Sequence, residues 1–147
     1  FQLCDILLVE DHEASAMVVI NALEQAGWTV HHAGTVHAAE SYIGLTEFQA
    51  ILTDLHLPDG NAMTFIDGVR RRGGPNAGVP IIALTADITD GRRQTCLAMG
   101  ADRALKKPVA GPELVETVAD VLYLEELLLI HHHLGVGHPC NLEAAGV

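Results

Sequence analysis

Five short apolar runs punctuate the chain: DILLV at 5–9, TVHHA at 29–33, QAILT at 49–53, VPIIALT at 79–85 and RALK at 103–106. The runs ILLV and PIIAL are continuously apolar, the pattern of strands covered on both faces. Between the runs, apolar residues switch to helical spacing. Across 13–26, Ala16, Val19, Ile20 and Leu23 share a face, and Gly27 is a natural stop. A shorter helix at 36–44 ends near Gly44, the stretch 61–72 groups Met63, Ile66 and Val69, and 90–99 stops at Gly100. A last helix opens at Pro112, favourable in a first turn, and turns Leu114, Val115, Val118, Val121 and Leu122 inward. Strand and helix alternate five times. That predicts an α/β fold: a doubly wound, five-stranded parallel sheet with helices on both faces. The stretch RRRGGPNAGVP at 70–80 reads as the one flexible connection, and there is no internal repeat.

Length and composition narrow the picture. The 147 residues suit one domain with a core able to stand alone, and 49% hydrophobic content excludes disorder for the bulk of the chain. The net charge of −11 argues against direct nucleic-acid binding and suits cations or basic partners. Cys4, Cys96 and Cys140 are odd in number and far apart, as expected of small buried hydrophobes in a reduced, cytoplasmic compartment. The chain opens on Phe1 rather than Met, as a piece of a longer protein would. No apolar run approaches the ~20 residues of a membrane span; the closest, LYLEELLLI at 122–130, carries Glu125 and Glu126.

In open α/β sheets, ligands bind beyond the carboxyl ends of the strands. The first run is followed there by Glu10 and Asp11, the third by Asp54, while the fourth ends in Thr85 and Lys107 follows the fifth. Three crowded carboxylates repel one another and favour a divalent cation, and oxygen donors suit Mg²⁺. A carboxylate can also act as a nucleophile and form an acyl phosphate. In such a site Glu10 and Asp11 could hold the metal and Asp54 could attack. Thr85 could donate to a phosphate oxygen and Lys107 could pair with another.

These stretches resemble the receiver domains of bacterial two-component signalling. ILLVEDHE is similar to the family's first strand with its acidic pair, ILTDLHLPDGNAM to the phosphoacceptor stretch, PIIALTA to the strand ending in Thr and a small residue, and LKKP to the Lys-Pro pair. The likeness covers about residues 5–122. It implies a flavodoxin-like (βα)5 fold and phosphorylation of an Asp by a partner histidine kinase or phosphotransfer domain, with Mg²⁺ as cofactor. A piece of a hybrid sensor kinase and a response regulator both fit. By position, Asp54 is the acceptor, Asp11 a direct metal ligand, Glu10 a ligand through water and His56 a main-chain carbonyl ligand. The family Lys is Lys107, before Pro108, and not Lys106. Two positions depart: Ala104 stands where an aromatic residue is usual three before the Lys, and Ala62 where a Gly is usual eight after the acceptor.

Taken singly, each residue has a plainer role. Asp54 could end a strand in a turn, Glu10 and Asp11 could cap the first helix, Thr85 is a common strand residue, and Lys107 is a solvated cation. Their joint arrangement carries the reading. Arg70, Arg71 and Arg72 read as a solvated helix end that complements the dipole, and His31, His32 and His37 as ordinary polar residues. His131, His132 and His133 point about 100° apart on a helix and do not converge on one ion. A docking module that works without phosphate is the alternative, for which Ala104 is the hint. An Asp-nucleophile phosphatase of the haloacid-dehalogenase type is a third class, but its D-x-D pattern after the first strand is not met by EDH. The receiver is expected to occupy 1–122. The remainder, 123–147, reads as a helical extension and a linker. Leu124, Leu127, Leu128 and Ile130 in it need cover, from the domain itself, a second copy of the chain or a neighbouring domain.

Overall fold

The computed structural model describes residues 4–86 and 89–133, with side chains over 4–60, 62–86 and 89–122. In chain order the elements are β1 (Asp5–Val9), α1 (Glu13–Gln25), β2 (Thr29–Ala33), α2 (Val36–Leu45) and β3 (Ala50–Asp54). The short strands β4 (His56–Leu57) and β5 (Gly60–Asn61) follow, then α3 (Ala62–Arg72), β6 (Ile81–Thr85), α4 (Asp90–Ala98), β7 (Arg103–Lys106) and α5 (Gly111–His133).

The main sheet has the order β2-β1-β3-β6-β7 and every neighbouring pair is parallel. Alternate residues of the central strands feed two cores. On one face Ile6, Leu8, Leu52, Ile82 and Leu84 meet Ala16, Val19 and Leu23 of α1 and Leu114, Val118 and Val121 of α5. On the other, Leu7, Val9, Ile51 and Ile81 meet Ile43 of α2, Phe65 and Ile66 of α3, and Cys96 of α4. Burial on both faces explains the unbroken apolar runs. The edge strand β2 carries His31 and His32 instead, and both are tied down: His31 Nε2 lies 2.9 Å from Asp5 Oδ1, and His32 Nε2 lies 2.7 Å from the Glu10 carbonyl oxygen.

Several expectations need correction. β3 lies one residue later than its apolar run, and β6 begins at Ile81 rather than 79. Pro80 has no N–H to give a ladder, although its carbonyl still accepts from the Ile51 N–H at 2.9 Å. The antiparallel β4–β5 hairpin, two residues a side, is too short for any periodicity to reveal. Helix α1 is capped by neither Glu10 nor Asp11 but by His12, whose Nδ1 accepts from the Ser15 N–H at 3.3 Å.

The connection at 73–80 is held rather than loose. Asn76 is buried, accepts from the Phe48 N–H, and donates to the carbonyls of Ile43 and Thr46. Arg70, read as solvated, donates to the carbonyls of Ala77, Val79 and Gly100 and pairs with Asp102 at 3.2 Å. α5 continues beyond Leu122 to His133. Residues 134–147, with Cys140, lie outside the described residues, as do the side chains of 123–133, so the roles read for Leu124 to Ile130 and His131 to His133 fall outside them too. Cys4 and Cys96 are both buried.

Candidate functional site

The strand order reverses between β1 and β3, the place where open α/β sheets form a crevice. Val9 pairs with Thr53 in register, so the next residues, Glu10 and Asp54, come out side by side at the carboxyl edge. Asp11 follows Glu10. One carboxylate oxygen from each of Glu10, Asp11 and Asp54 lies within 4.8 Å of the other two. Across the sheet Thr85 pairs with Lys106, and the Lys107 N–H donates to the Thr85 carbonyl at 2.8 Å. That bond starts Lys107 back toward the acidic cluster.

Lys107 Nζ donates to Glu10 Oε1 at 2.6 Å and to Asp54 Oδ2 at 3.3 Å. Glu10 is 1% exposed, Asp11 lies open to solvent, and Asp54 keeps 13% of its side chain exposed. Burial pushes the Glu10 carboxyl above its ordinary pKa. Asp54 adds to the rise, while Lys107 and the His12 N–H oppose it without cancelling it. Burial alone would pull Lys107 down, but the hydrogen bonds and charges of Glu10 and Asp54 outweigh it and raise its pKa. Lys107 is thus held charged while Glu10 takes up a proton more readily. Three carboxylates against one ammonium leave two uncompensated negative charges when all are ionised. The donor set is hard oxygen, partly solvent-open and short of positive charge, and so fits a small divalent cation.

Of the residues singled out from the sequence, Glu10, Asp11, Asp54 and Lys107 are brought into one cluster. Thr85 is buried at the end of β6, hydrogen-bonded through its carbonyl to Lys107. His56 is exposed, with its N–H 3.4 Å from Asp54 Oδ1. Ala104 is buried beside Ala83 in β6, so no aromatic ring occupies that position. Spacing did not reveal His12 as a cap. Nor did it reveal Asp59, which contacts α2 from 22 and 23 residues away.

Comparison with known proteins agrees with this geometry. The family model for the response regulator receiver domain matches residues 6–119. The sensory/regulatory protein RpfC of Xanthomonas campestris is 32% identical over 119 residues, covering 78% of this chain and 16% of RpfC. The probable transcriptional regulatory protein SilR of Salmonella typhimurium is 31% identical over 131 residues, covering 89% of this chain and 56% of SilR. The chain therefore spans about a sixth of one relative and just over half of the other. Among solved structures, the receiver domain of the sensor histidine kinase PA1611 of Pseudomonas aeruginosa superposes with a TM-score of 0.76 at 30% identity. The match covers 83% of this chain and 99% of that one, which holds a magnesium ion in its active site cleft. The matched span takes in all of the main sheet except Asp5, together with Glu10, Asp11, Asp54 and Lys107, and the chain belongs to the response regulator receiver domain family.

Proposed function

We propose that the chain is the phosphoacceptor of a two-component phosphorelay. Asp54 takes a phosphoryl group from a phosphohistidine of a histidine kinase or phosphotransfer domain, in a Mg²⁺-dependent step. A carboxylate oxygen of Asp54 forms the new P–O bond. The P–N bond of the donor breaks, and its electron pair stays on the imidazole nitrogen. Asp11 and Asp54 would hold the ion directly, Glu10 through water, and His56 by its main-chain carbonyl. When bound, the ion compensates charge on the phosphoryl oxygens. Lys107 turns from Asp54 to a phosphoryl oxygen, and Thr85 donates its hydroxyl to another. The added charge biases the connection between β6 and α4, a local event acting on a two-state element. Residues 1–122 act as the receiver in the cytoplasm, and 123–147 form an extension whose partner is a second copy of the chain.

The observation that supports this reading best is Lys107. Its ammonium crosses from the end of β7 to bridge Glu10 and Asp54, the arrangement needed to neutralise a group arriving on Asp54. Incubation with acetyl phosphate and Mg²⁺, followed by intact mass, tests it. Wild type should gain one phosphate and Asp54→Asn none; a gain that persists in Asp54→Asn would show the acceptor to be another residue. Ala104 favours a second reading, a docking module that needs no phosphate, which the absence of any gain in wild type would select.

A further inference from the structure

We infer that Asp59 is a positioning residue for the cation site: clamped on the N-terminus of α2, its carboxylate fixes the hairpin that carries His56. The inference rests on the reading above that the pocket takes Mg²⁺.

Leu57 and Gly60 pair across the β4–β5 hairpin, so Pro58 and Asp59 form its turn. From that tip Asp59 Oδ1 accepts from the Val36 N–H at 2.8 Å, and Oδ2 accepts from the His37 N–H at 3.0 Å. These are the first two helical donors of α2, which a helix cannot satisfy internally. The third, Ala38 N–H, is taken at 3.0 Å by the Oγ1 of Thr35, the residue before the helix. An ordinary local cap thus covers one donor, and a side chain 22 to 23 residues away accepts from both others. The two N–H groups, with some help from His37, hold the Asp59 carboxyl below its usual pKa. The tip lies beside the start of α2: a Cβ at Gly60, whose φ is +155°, would stand in ordinary contact with Val36 Cγ2 at 3.7 Å.

The other end of the hairpin is the cation site. The His56 N–H faces Asp54 Oδ1 at 3.4 Å, and the Ala62 N–H closes the base on the Leu55 carbonyl at 3.2 Å. His56 is thus held between Asp54 and a turn anchored to a helix end. Asp59 lies exposed, so the clamp fills no core. Its consequence is geometric. Mg²⁺ demands near-ideal octahedral placement of its ligands, and a site carbonyl is useful only if held to within ~0.5 Å. A hairpin freed from α2 would hold His56 less well and bind the ion more weakly.

Calorimetric Mg²⁺ titration of wild type, Asp59→Ala, Asp59→Asn, Val36→Pro and the Asp59→Ala/Val36→Pro double variant tests this. Thermal melts in the absence of the ion establish that each is folded at the titration temperature. Val36 opens the helix, where Pro is tolerated; Val36→Pro therefore deletes the N–H that Oδ1 accepts and leaves the charge of Asp59 in place. Asp59→Ala should weaken Mg²⁺ roughly five-fold or more, the lower end of ordinary coupling between sites. Asp59→Asn and Val36→Pro should each weaken it less, and the double variant should match Asp59→Ala because the contact is already gone. A purely structural cap would lower the melting midpoint and leave the affinity unchanged, which overturns the inference. Affinity lost in Asp59→Ala but unchanged in Val36→Pro also overturns it, since the charge and not the clamp would then be acting. If Asp59→Ala does not fold, unchanged affinity in Asp59→Asn overturns it instead. Wild type that takes up no Mg²⁺ overturns the cation-site reading itself, whereas a wild type that binds alongside an equal Asp59→Ala overturns the clamp alone.

Discussion

Glu10 and Lys107 stand in an unequal partnership. Glu10 is almost wholly buried, whereas Lys107 keeps 23% of its side chain exposed. In the unfolded chain Glu10 would titrate near 4.3; burial raises it in the fold. The native state then binds its proton more tightly, so stability falls as pH climbs from the unfolded value through the folded one. Lys107 acts at the other end of the scale. Its folded pKa lies above the unfolded value of about 10.4, so its stabilisation is complete at neutral pH and is lost as pH rises through the folded value. Lys107→Met keeps the bulk of the stem and strands the Glu10 carboxylate. Without Mg²⁺ it should cost about 1–3 kcal/mol at neutral pH, less than breaking a fully buried pair. The cost should be smaller at about pH 4, just below the unfolded value, because burial raises the Glu10 carboxyl in the fold and it already carries its proton there. Urea denaturation at both pH values checks this; an equal loss at each would show that Lys107 is not there to offset the charge of Glu10.

At the scale of elements, the end of α3 is a latch. Arg70 reaches the carbonyls of Ala77 and Val79 ahead of β6 and that of Gly100 in the turn before β7. Gly100 has φ +117°, and a Cβ there would meet Arg70 Cγ at 3.0 Å, so the turn is shaped to admit the arginine. The neighbouring Arg71 is 79% exposed and, among the described residues, pairs with Asp67 alone, along the helix. Arg70→Ala should therefore destabilise by about 1.5–3 kcal/mol through its stranded carbonyls, while Arg71→Ala should change stability by less than about 0.5 kcal/mol. Denaturation midpoints of the two variants decide it, and equal effects would refute the latch. The three arginines look alike in sequence because a run of cations at a helix end has a sufficient local reason to exist. Gly100, which separates Arg70 from them, lies 30 residues away. The Asp59 clamp escaped notice for the same reason. What could be read were the strands and helices, whose apolar periodicity is local. The polar residues at the strand ends could also be read, because parallel topology must deliver Glu10, Asp11, Asp54, Thr85 and Lys107 to one edge. The direct pairing of Lys107 with Glu10 was not legible, since it depends on how far each side chain reaches once there.

At the scale of the molecule, phosphorylation of Asp54 as proposed above needs a route out of the domain. Ala104 offers no bulky side chain to rotate, and it lies buried against Ala83. On the proposed reading of Asp54 as the acceptor, the response would have to travel through backbone and helix packing. α5 is the element with the reach to carry it. Leu114, Val118, Val121 and Leu122 anchor it on α1 and the sheet, and its backbone continues as helix to His133, about 16 Å beyond Leu122 at 1.5 Å per residue. That stretch bears Leu124, Leu127 and Leu128 at i, i+3 and i+4, the spacing of a helix-pairing face. The prediction is a concentration-dependent dimer through the extension. Beryllofluoride, standing in for the acyl phosphate, should strengthen it by a coupling on the order of 1–3 kcal/mol, since a charge at Asp54 acts on α5 only indirectly. Truncation after Leu122 should give a monomer with and without beryllofluoride while leaving Mg²⁺ binding intact. Sedimentation of both chains in both states decides it: if the full chain is also monomeric throughout, the extension is a linker and the signal leaves by another surface.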